Sequence, residues 1–183
     1  TGDDVMVTAD YMATGFSSGS SDSRKLISSN PATYPSVSSA AYSIFHVARF
    51  NGQNGSSAGR IIASNNNGGI NWLHGFHATP GVNCFYAGNW VGTTCGTASG
   101  GGVVTTWQLH SGDGNRYWSR LTNNGNLAYQ SNCSNLSPGG LSIGGWSNTG
   151  NTTISECADA DIAEVITFDR VLNDARKKIV ENY

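Results

Sequence analysis

The most strongly patterned stretch of the chain is Tyr42-Ser43-Ile44-Phe45-His46-Val47-Ala48-Arg49-Phe50, where β-branched and aromatic residues fill both alternating sets. Such a run predicts a strand covered on both faces, not one with a wet side. Asn51-Gly52 then marks a turn. Shorter apolar runs predict strands over 59–63, 71–77, 83–87, 103–111 and 115–122, with Asn123-Asn124-Gly125 supplying the positive-φ positions of a tight hairpin before Leu127. Two more strands are expected at 141–146 and 161–168. The period then changes. Leu172, Ala175, Ile179, Val180 and Tyr183 recur at helical spacing, Asn173 suits the N-cap and Asp174 suits the positive end of the helix dipole, while Arg176 stands where a capping box has Glu. About ten short strands followed by one brief helix predict an all-β antiparallel sandwich of two sheets with a short C-terminal helix. Residues 1–41 are polar, with a Gly/Ser segment at 17–23 and an Asn30-Pro31 turn, and read as first strand or strands or as a docking arm. No repeat or linker divides the rest, so 42–183 reads as a single module.

Composition narrows the setting. In 183 residues, Gly accounts for 24 and charged residues for only 12%, about half the usual share. A net charge of −2 without basic clusters, apart from Arg176-Lys177-Lys178 in the helical segment, gives no footprint for nucleic acid or an anionic membrane. No apolar run approaches the roughly 18 to 20 residues that cross a bilayer, so membrane insertion is not expected. The start at Thr1-Gly2-Asp3-Asp4, with neither initiator methionine nor hydrophobic leader, reads as a processed or excised chain.

Cys84, Cys95, Cys133 and Cys157 are even in number and contain no C-x-x-C pair, which favours two disulfides over zinc or free thiols. Of three pairings, Cys84 with Cys95 and Cys133 with Cys157 close the shortest loops. N-x-S/T sequons at Asn54, Asn132, Asn135 and Asn151 add to an extracellular expectation, secreted or surface-displayed, although a chain rich in Asn, Ser and Thr also makes sequons by chance.

The segments Phe45-His46-Val47-Ala48-Arg49-Phe50-Asn51-Gly52, Gly59-Arg60-Ile61-Ile62, Asn71-Trp72-Leu73-His74-Gly75-Phe76 and Asp161-Ile162-Ala163-Glu164-Val165-Ile166, the last leading to Arg170-Val171-Leu172, resemble the concanavalin A-like lectin/glucanase superfamily and its laminin G-like modules. The resemblance covers about residues 42–183. It implies a jelly-roll sandwich, an extracellular setting and a role in binding glycan or a protein partner. It also brings in two chemistries. Laminin G-like modules often hold calcium on the sandwich rim, and Asp159 and Asp161, with Glu156 nearby, are the candidate oxygen ligands. Hydrolases of the superfamily use an E-x-D-x-E pattern on one strand face, whose carboxyl groups in a retaining enzyme stand about 5 to 5.5 Å apart. Here Asp159 and Asp161 share a face, but position 163 is Ala, Glu164 is expected to point the other way, and the chain has only three Glu. A glycoside hydrolase is therefore the weakest reading. A structural alternative pairs Asp161 and Glu164 with Arg170 or Arg60.

Other clusters carry little. His74 and His77 have metal-like spacing, but on a strand an i, i+3 pair faces opposite sides, and the four His are not expected to assemble. Ser99-Gly100-Gly101-Gly102 lacks the residues that cradle phosphate. Aromatics remain. Sugar sites stack pyranose C–H faces on Trp or Tyr and place Asn or Asp to bond the hydroxyls. Trp90 with Asn89, in the tip between two close Cys, and Asp113, Tyr117 and Trp118, in and after an expected Asp113-Gly114-Asn115 turn, are the candidate ligand contacts. Trp72, Trp107 and Trp146 fall in strand patterns and are expected in the core. The first reading is thus a non-catalytic module for glycan or an extracellular protein. The alternative is a structural subunit of an extracellular filament or coat, because low net charge weakens repulsion between copies and the polar arm could add a strand to a neighbour.

Overall fold

The computed structural model describes residues 7–8, 26–27, 41–50, 59–64, 70–77, 81–91, 96–97, 104–115, 117–132, 138–147, 154–156, 158 and 160–183. In chain order the strands are β1 (Val7–Thr8), β2 (Leu26–Ile27), β3 (Ala41–Phe50), β4 (Ile62–Ser64), β5 (Trp72–Phe76), β6 (Gly81–Ala87) and β7 (Gly96–Thr97). They continue as β8 (Gln108–Asn115), β9 (Trp118–Asn123), β10 (Asn126–Ser131), β11 (Leu141–Ile143), β12 (Trp146–Ser147), β13 (Ile154–Ser155) and β14 (Ala160–Phe168), and helix α1 (Asp174–Glu181) follows. Two six-stranded antiparallel sheets, ordered β1-β14-β3-β8-β9-β10 and β2-β11-β4-β5-β6-β7, form a β-sandwich, with β12 and β13 as a small third pair. Strands β1 and β2 each pair within the chain's own sheets, beside β14 and β11.

The doubly covered pattern of β3 has a direct cause in this arrangement. Ile44, Ala48 and Phe50 join Tyr42 in the core between the sheets, while Phe45 faces outward under α1 with Ile166, Phe168 and Leu172. Tyr42 sits at one end of that core, where its hydroxyl accepts a hydrogen bond from Trp72 Nε1 at 3.2 Å and ties the first sheet to the second. Burial pushes the Tyr42 hydroxyl far above the usual tyrosine range, so it remains a neutral partner. The hairpin at Asn124-Gly125, with φ of 48° and 75°, is as the sequence expects.

Three expectations are corrected. Strand β8 starts at Gln108 and runs to Asn115, so Asp113-Gly114-Asn115 lies in a strand; the turn follows, with the Asn115 side chain accepting from the amides of Tyr117 and Trp118. Trp107 therefore stands outside the strand, is 44% exposed and lies 4.6 Å beneath the Arg49 guanidinium. The helix begins at its expected cap, where the Asn173 side chain accepts from the Arg176 amide, but its phase differs from the apolar spacing. Ile179 and Tyr183 are exposed and Lys177 is buried, because the ammonium pairs with the Asp113 carboxylate on the sheet below. Asp113 also accepts two hydrogen bonds from Arg120, at 3.0 and 2.8 Å, and so anchors both β9 and α1.

Bulges alter the strand faces at two places. In the β5–β6 pair the register passes from Gly75↔Cys84 to Phe76↔Val82, leaving Asn83 as an extra residue at φ 62°. In β14 the register slips around Ala163, so that Asp161 opposes Arg49 and Glu164 opposes Val47. Glu164 thereby shares the outer face with Asp161, contrary to simple alternation.

Candidate functional site

The chain leaves β6 through a tight turn in which the Ala87 amide donates to the Asn89 carbonyl at 3.0 Å, and it returns along β6 with Trp90 bridged to Tyr86. The turn puts Trp90 on the outer face of the second sheet. It remains 40% exposed, and Asn89 beside it is exposed as well. Tyr86 meets the Trp90 ring edge-on, with centroids 5.2 Å apart, and His77 lies 6.0 Å away at a tilt of 32°. The indole is thus packed edge-on against Tyr86 and at a shallow tilt against His77, which fixes its orientation as a preformed platform needs.

A polar chain runs away from this platform. His77 Nδ1 stands 3.6 Å from Glu156 Oε2, too far for a hydrogen bond. The same oxygen accepts from Arg60 Nε at 2.5 Å, and another Arg60 nitrogen donates to Asn71 Oδ1 at 2.6 Å. The Arg60 guanidinium also lies 4.7 Å over the Trp146 ring, although its side chain is almost fully covered. Burial holds His77 below its ordinary value, with Arg60 adding to the effect and Glu156 opposing it, so near neutrality the imidazole is uncharged and Arg60 neutralises Glu156. Glu156 takes φ 50°, unusual for a side chain of this size, and its backbone carbonyl accepts from the Arg60 amide at 2.8 Å. The conformation is over-determined by Arg60 through both backbone and side chain. The exposed indole offers a stacking face with the His77 imidazole next to it and the partly exposed Glu156 carboxylate one step further out, while the covered Arg60 guanidinium is committed to Glu156 and Asn71.

The sequence-derived candidates fall in different places. Asn89 and Trp90 belong to this surface, whereas Tyr117 and Trp118 stand at the β8–β9 turn of the first sheet, Tyr117 well exposed and Trp118 5.5 Å beneath the Arg120 guanidinium. Asp113 lines no surface. It is 1% exposed and its carboxylate is committed to Arg120 and Lys177, which corrects its placement among ligand contacts. Trp146 lies on the outer face of the second sheet with Leu73 and Tyr86, and Trp72 is in the core as expected.

Calcium does not suit Asp161. Its carboxylate is held across the sheet by Arg49 at 2.9 Å, and a guanidinium that close repels a second cation. Asp159 lies outside the described residues, and among the described residues no group of His, Cys, Asp and Glu could hold a metal ion. The expected ion pairs of Asp161 and Glu164 with Arg170 or Arg60 are also replaced, since Asp161 takes Arg49, Arg60 takes Glu156, and Arg170 lies 3.7 Å from Asp169. Cys84 is disulfide-bonded. Its partner, the proposed pairing with Cys95, and Cys133 and Cys157 lie outside the described residues, as do Asn54, Asn135 and Asn151; Asn132 is exposed after β10.

The histidines depart furthest from expectation. His46, His74 and His110 assemble between the sheets, all essentially buried, with His46 Nε2 and His74 Nδ1 3.0 Å apart and the His46 and His110 rings stacked at 5.2 Å. Asn83, turned inward by its bulge, lies with Oδ1 3.1 Å from His110 Nε2 and accepts from Asn123 at 2.7 Å. The pairing of β3 with β8 sets His46 opposite His110, a cross-strand juxtaposition that single-chain spacing does not show.

No family model matches the sequence, and no curated protein matches it. Similar solved structures include a receptor-binding domain with a TM-score of 0.63 and 17% identity, covering 98% of this chain and 44% of that one. The binding domain of botulinum neurotoxin DC in complex with rat synaptotagmin II gives 0.59 and 16%, covering 88% of this chain and 40% of that one. A structure of botulinum neurotoxin type C, whose passage into cells depends on interaction with two ganglioside molecules, gives 0.52 and 14%, covering 78% and 35%. This chain spans less than half the length of each. At these identities the likeness is one of fold, the β-sandwich.

Proposed function

We propose that the protein is a secreted or surface-displayed, non-catalytic binding module of the laminin G-like type, and that it takes glycan on the outer face of the second sheet, with Trp90 as the stacking platform. The observation that carries the reading is the exposed Trp90 indole held by Tyr86 and His77 beside the Glu156–Arg60–Asn71 chain. A pyranose laid on the indole has the His77 imidazole beside the ring and the exposed Asn89, its neighbour in the chain, as hydrogen-bonding groups. Structural neighbours support both partner classes, one being complexed with synaptotagmin and another depending on gangliosides. The test is a glycan array probed with the disulfide-intact protein, with calcium and again with EDTA. Binding to a glycan class that survives EDTA fits an indole platform that uses no metal. Failure to bind any glycan removes the reading.

A structural subunit is the second reading, favoured by the exposed apolar side chains Leu127, Ile179 and Tyr183. Particles far larger than a monomer in light scattering, together with no glycan binding, select it.

A further inference from the structure

Histidine is the side chain whose ordinary titration falls near physiological pH, so three of them packed ring against ring in a core form an unusual arrangement. His46 comes from β3, His110 from its neighbour β8, and His74 from β5 in the opposite sheet, so the group bridges the two sheets at their middle. The rings are closely fitted. A Cβ on Gly112 would lie 2.0 Å from His74 Nε2, and one on Gly75 would lie 2.5 Å from His46 Cε1, so both glycines leave space that an imidazole fills. One hydrogen bond within the group, between His46 Nε2 and His74 Nδ1, requires one nitrogen to donate and the other to accept. Among the described residues, His46 Nδ1 and His110 Nδ1 are buried without a hydrogen-bond partner, and His74 has beyond His46 only the Ser111 backbone.

We propose that this three-histidine group is an acid-sensitive latch: it closes the sandwich while all three rings are neutral and opens it by cooperative proton uptake at mildly acidic pH. The surroundings offer no compensating charge. The inward faces against the group carry Ile44 and Ala48 of β3, Val165 of β14, Leu121 and Asn123 of β9, Trp72 and Phe76 of β5, and Asn83 and Phe85 of β6. Among the described residues the other ionisable side chains packed into this core are the hydroxyls of Tyr42 and Tyr129, and no carboxylate joins them. The carboxylate of Asp113 and the cations Arg120 and Lys177 lie on the opposite face of the first sheet, and Glu156 and Arg60 lie outside the second. Burial holds His46 down to about 3 and drives His74 and His110 well below their ordinary value; a positive His46 further opposes charging of His74 and His110, a positive His110 opposes that of His74, and backbone hydrogen bonding at His46 and His74 only partly offsets burial.

The sign follows from linkage. The unfolded chain binds protons at these histidines near the ordinary value of 6.5, while the folded chain does not, so stability is full above that value and falls as pH drops below it. Between pH 7.5 and 5.0, each unfolded histidine raises the unfolding constant about 30-fold, and the three together raise it on the order of 10⁴-fold. Carboxylates titrate mostly below this window, near about 4.

The test is urea unfolding of the intact protein, followed by tryptophan fluorescence at steps between pH 7.5 and 5.0. The logarithm of the unfolding constant is expected to approach a slope of three protons per pH unit near pH 5.5, with His77 adding at most one. A slope below two overturns the proposal. His110→Gln is expected to flatten the total change about 30-fold; an unchanged slope in that variant overturns it. Where the variant does not fold, the imidazole proton resonances of the wild type decide: three rings that stay neutral until the chain unfolds support the latch, and rings that titrate near pH 6.5 in the folded protein refute it.

Discussion

The ion-paired seat of the helix gives the sharpest stability prediction. Asp113 is 1% exposed and has two partners, Arg120 through two hydrogen bonds and the Lys177 ammonium, whose own side chain is 8% exposed. Asp113→Asn keeps the shape, removes the charge and turns one acceptor into a donor that faces two cations. Breaking a buried pair from one side costs about 3 to 5 kcal/mol. Arg120 keeps some access to water, with 22% of its side chain exposed, which places the expected loss near the lower end, about 3 kcal/mol. In a domain of this size that corresponds to a fall in Tm of about 6 to 12 °C. Lys177→Met leaves Asp113 with Arg120 and fits the apolar stem already buried there, so it is expected to cost about 1 kcal/mol. The double variant should lose less than the sum, with a coupling of about 2 kcal/mol. Urea unfolding monitored by circular dichroism measures all three. A loss below about 1 kcal/mol in Asp113→Asn, or strict additivity in the double variant, refutes the reasoning that this carboxylate holds the helix.

The same physics sets other outcomes. Gly112→Ala drives a methyl group into the His74 ring, 2.0 Å from Nε2 before relaxation, and is expected to cost about 1 to 3 kcal/mol in urea unfolding. Arg49→Ala removes a cation stacked on an exposed Trp107 and an ion pair with Asp161 in which Arg49 is 38% exposed, so its cost should stay below about 1 kcal/mol and shrink in high salt. Glu156→Gln releases the tightest partner of Arg60 while keeping the shape. It leaves the almost fully covered Arg60 guanidinium without its anion and is expected to cost about 1 to 3 kcal/mol, less than a fully buried pair because Glu156 is more than a third exposed, and to weaken ligand capture on the Trp90 face in a binding titration of the folded variant.

Much of the scaffold was legible because it rests on local periodicity. The doubly apolar run of β3, the Asn124-Gly125 hairpin and the Asn173 cap each followed from residues within a few positions. What escaped needed contacts between distant segments. Lys177 counts as polar in any helical pattern, yet Asp113, far earlier in the chain, draws it inward and rotates the helix away from the phase of Ile179 and Tyr183. The His46–His74–His110 group joins three strands from two sheets, and strand pairing is invisible in spacing alone. Bulges matter for the same reason, since one extra residue at Ala163 moves Glu164 to the face of Asp161. For the candidate site, Asn89 and Trp90 were found from a turn signal and an aromatic in it. His77, Arg60, Asn71 and Glu156 were not, because their chemistry arises only when the segment before β4, the two ends of β5 and the segment before β14 meet.

The central claim, that Trp90 is the ligand platform, is tested most directly by Trp90→Ala on an immobilised-glycan array beside the wild type. Trp90 is exposed on the sheet surface and outside the bridge between the two sheets, so the variant is expected to unfold within about 1 kcal/mol of the wild type while losing at least 10-fold in binding, as truncation of an aromatic anchor does. A folded variant that binds the same glycans as tightly as the wild type contradicts the account.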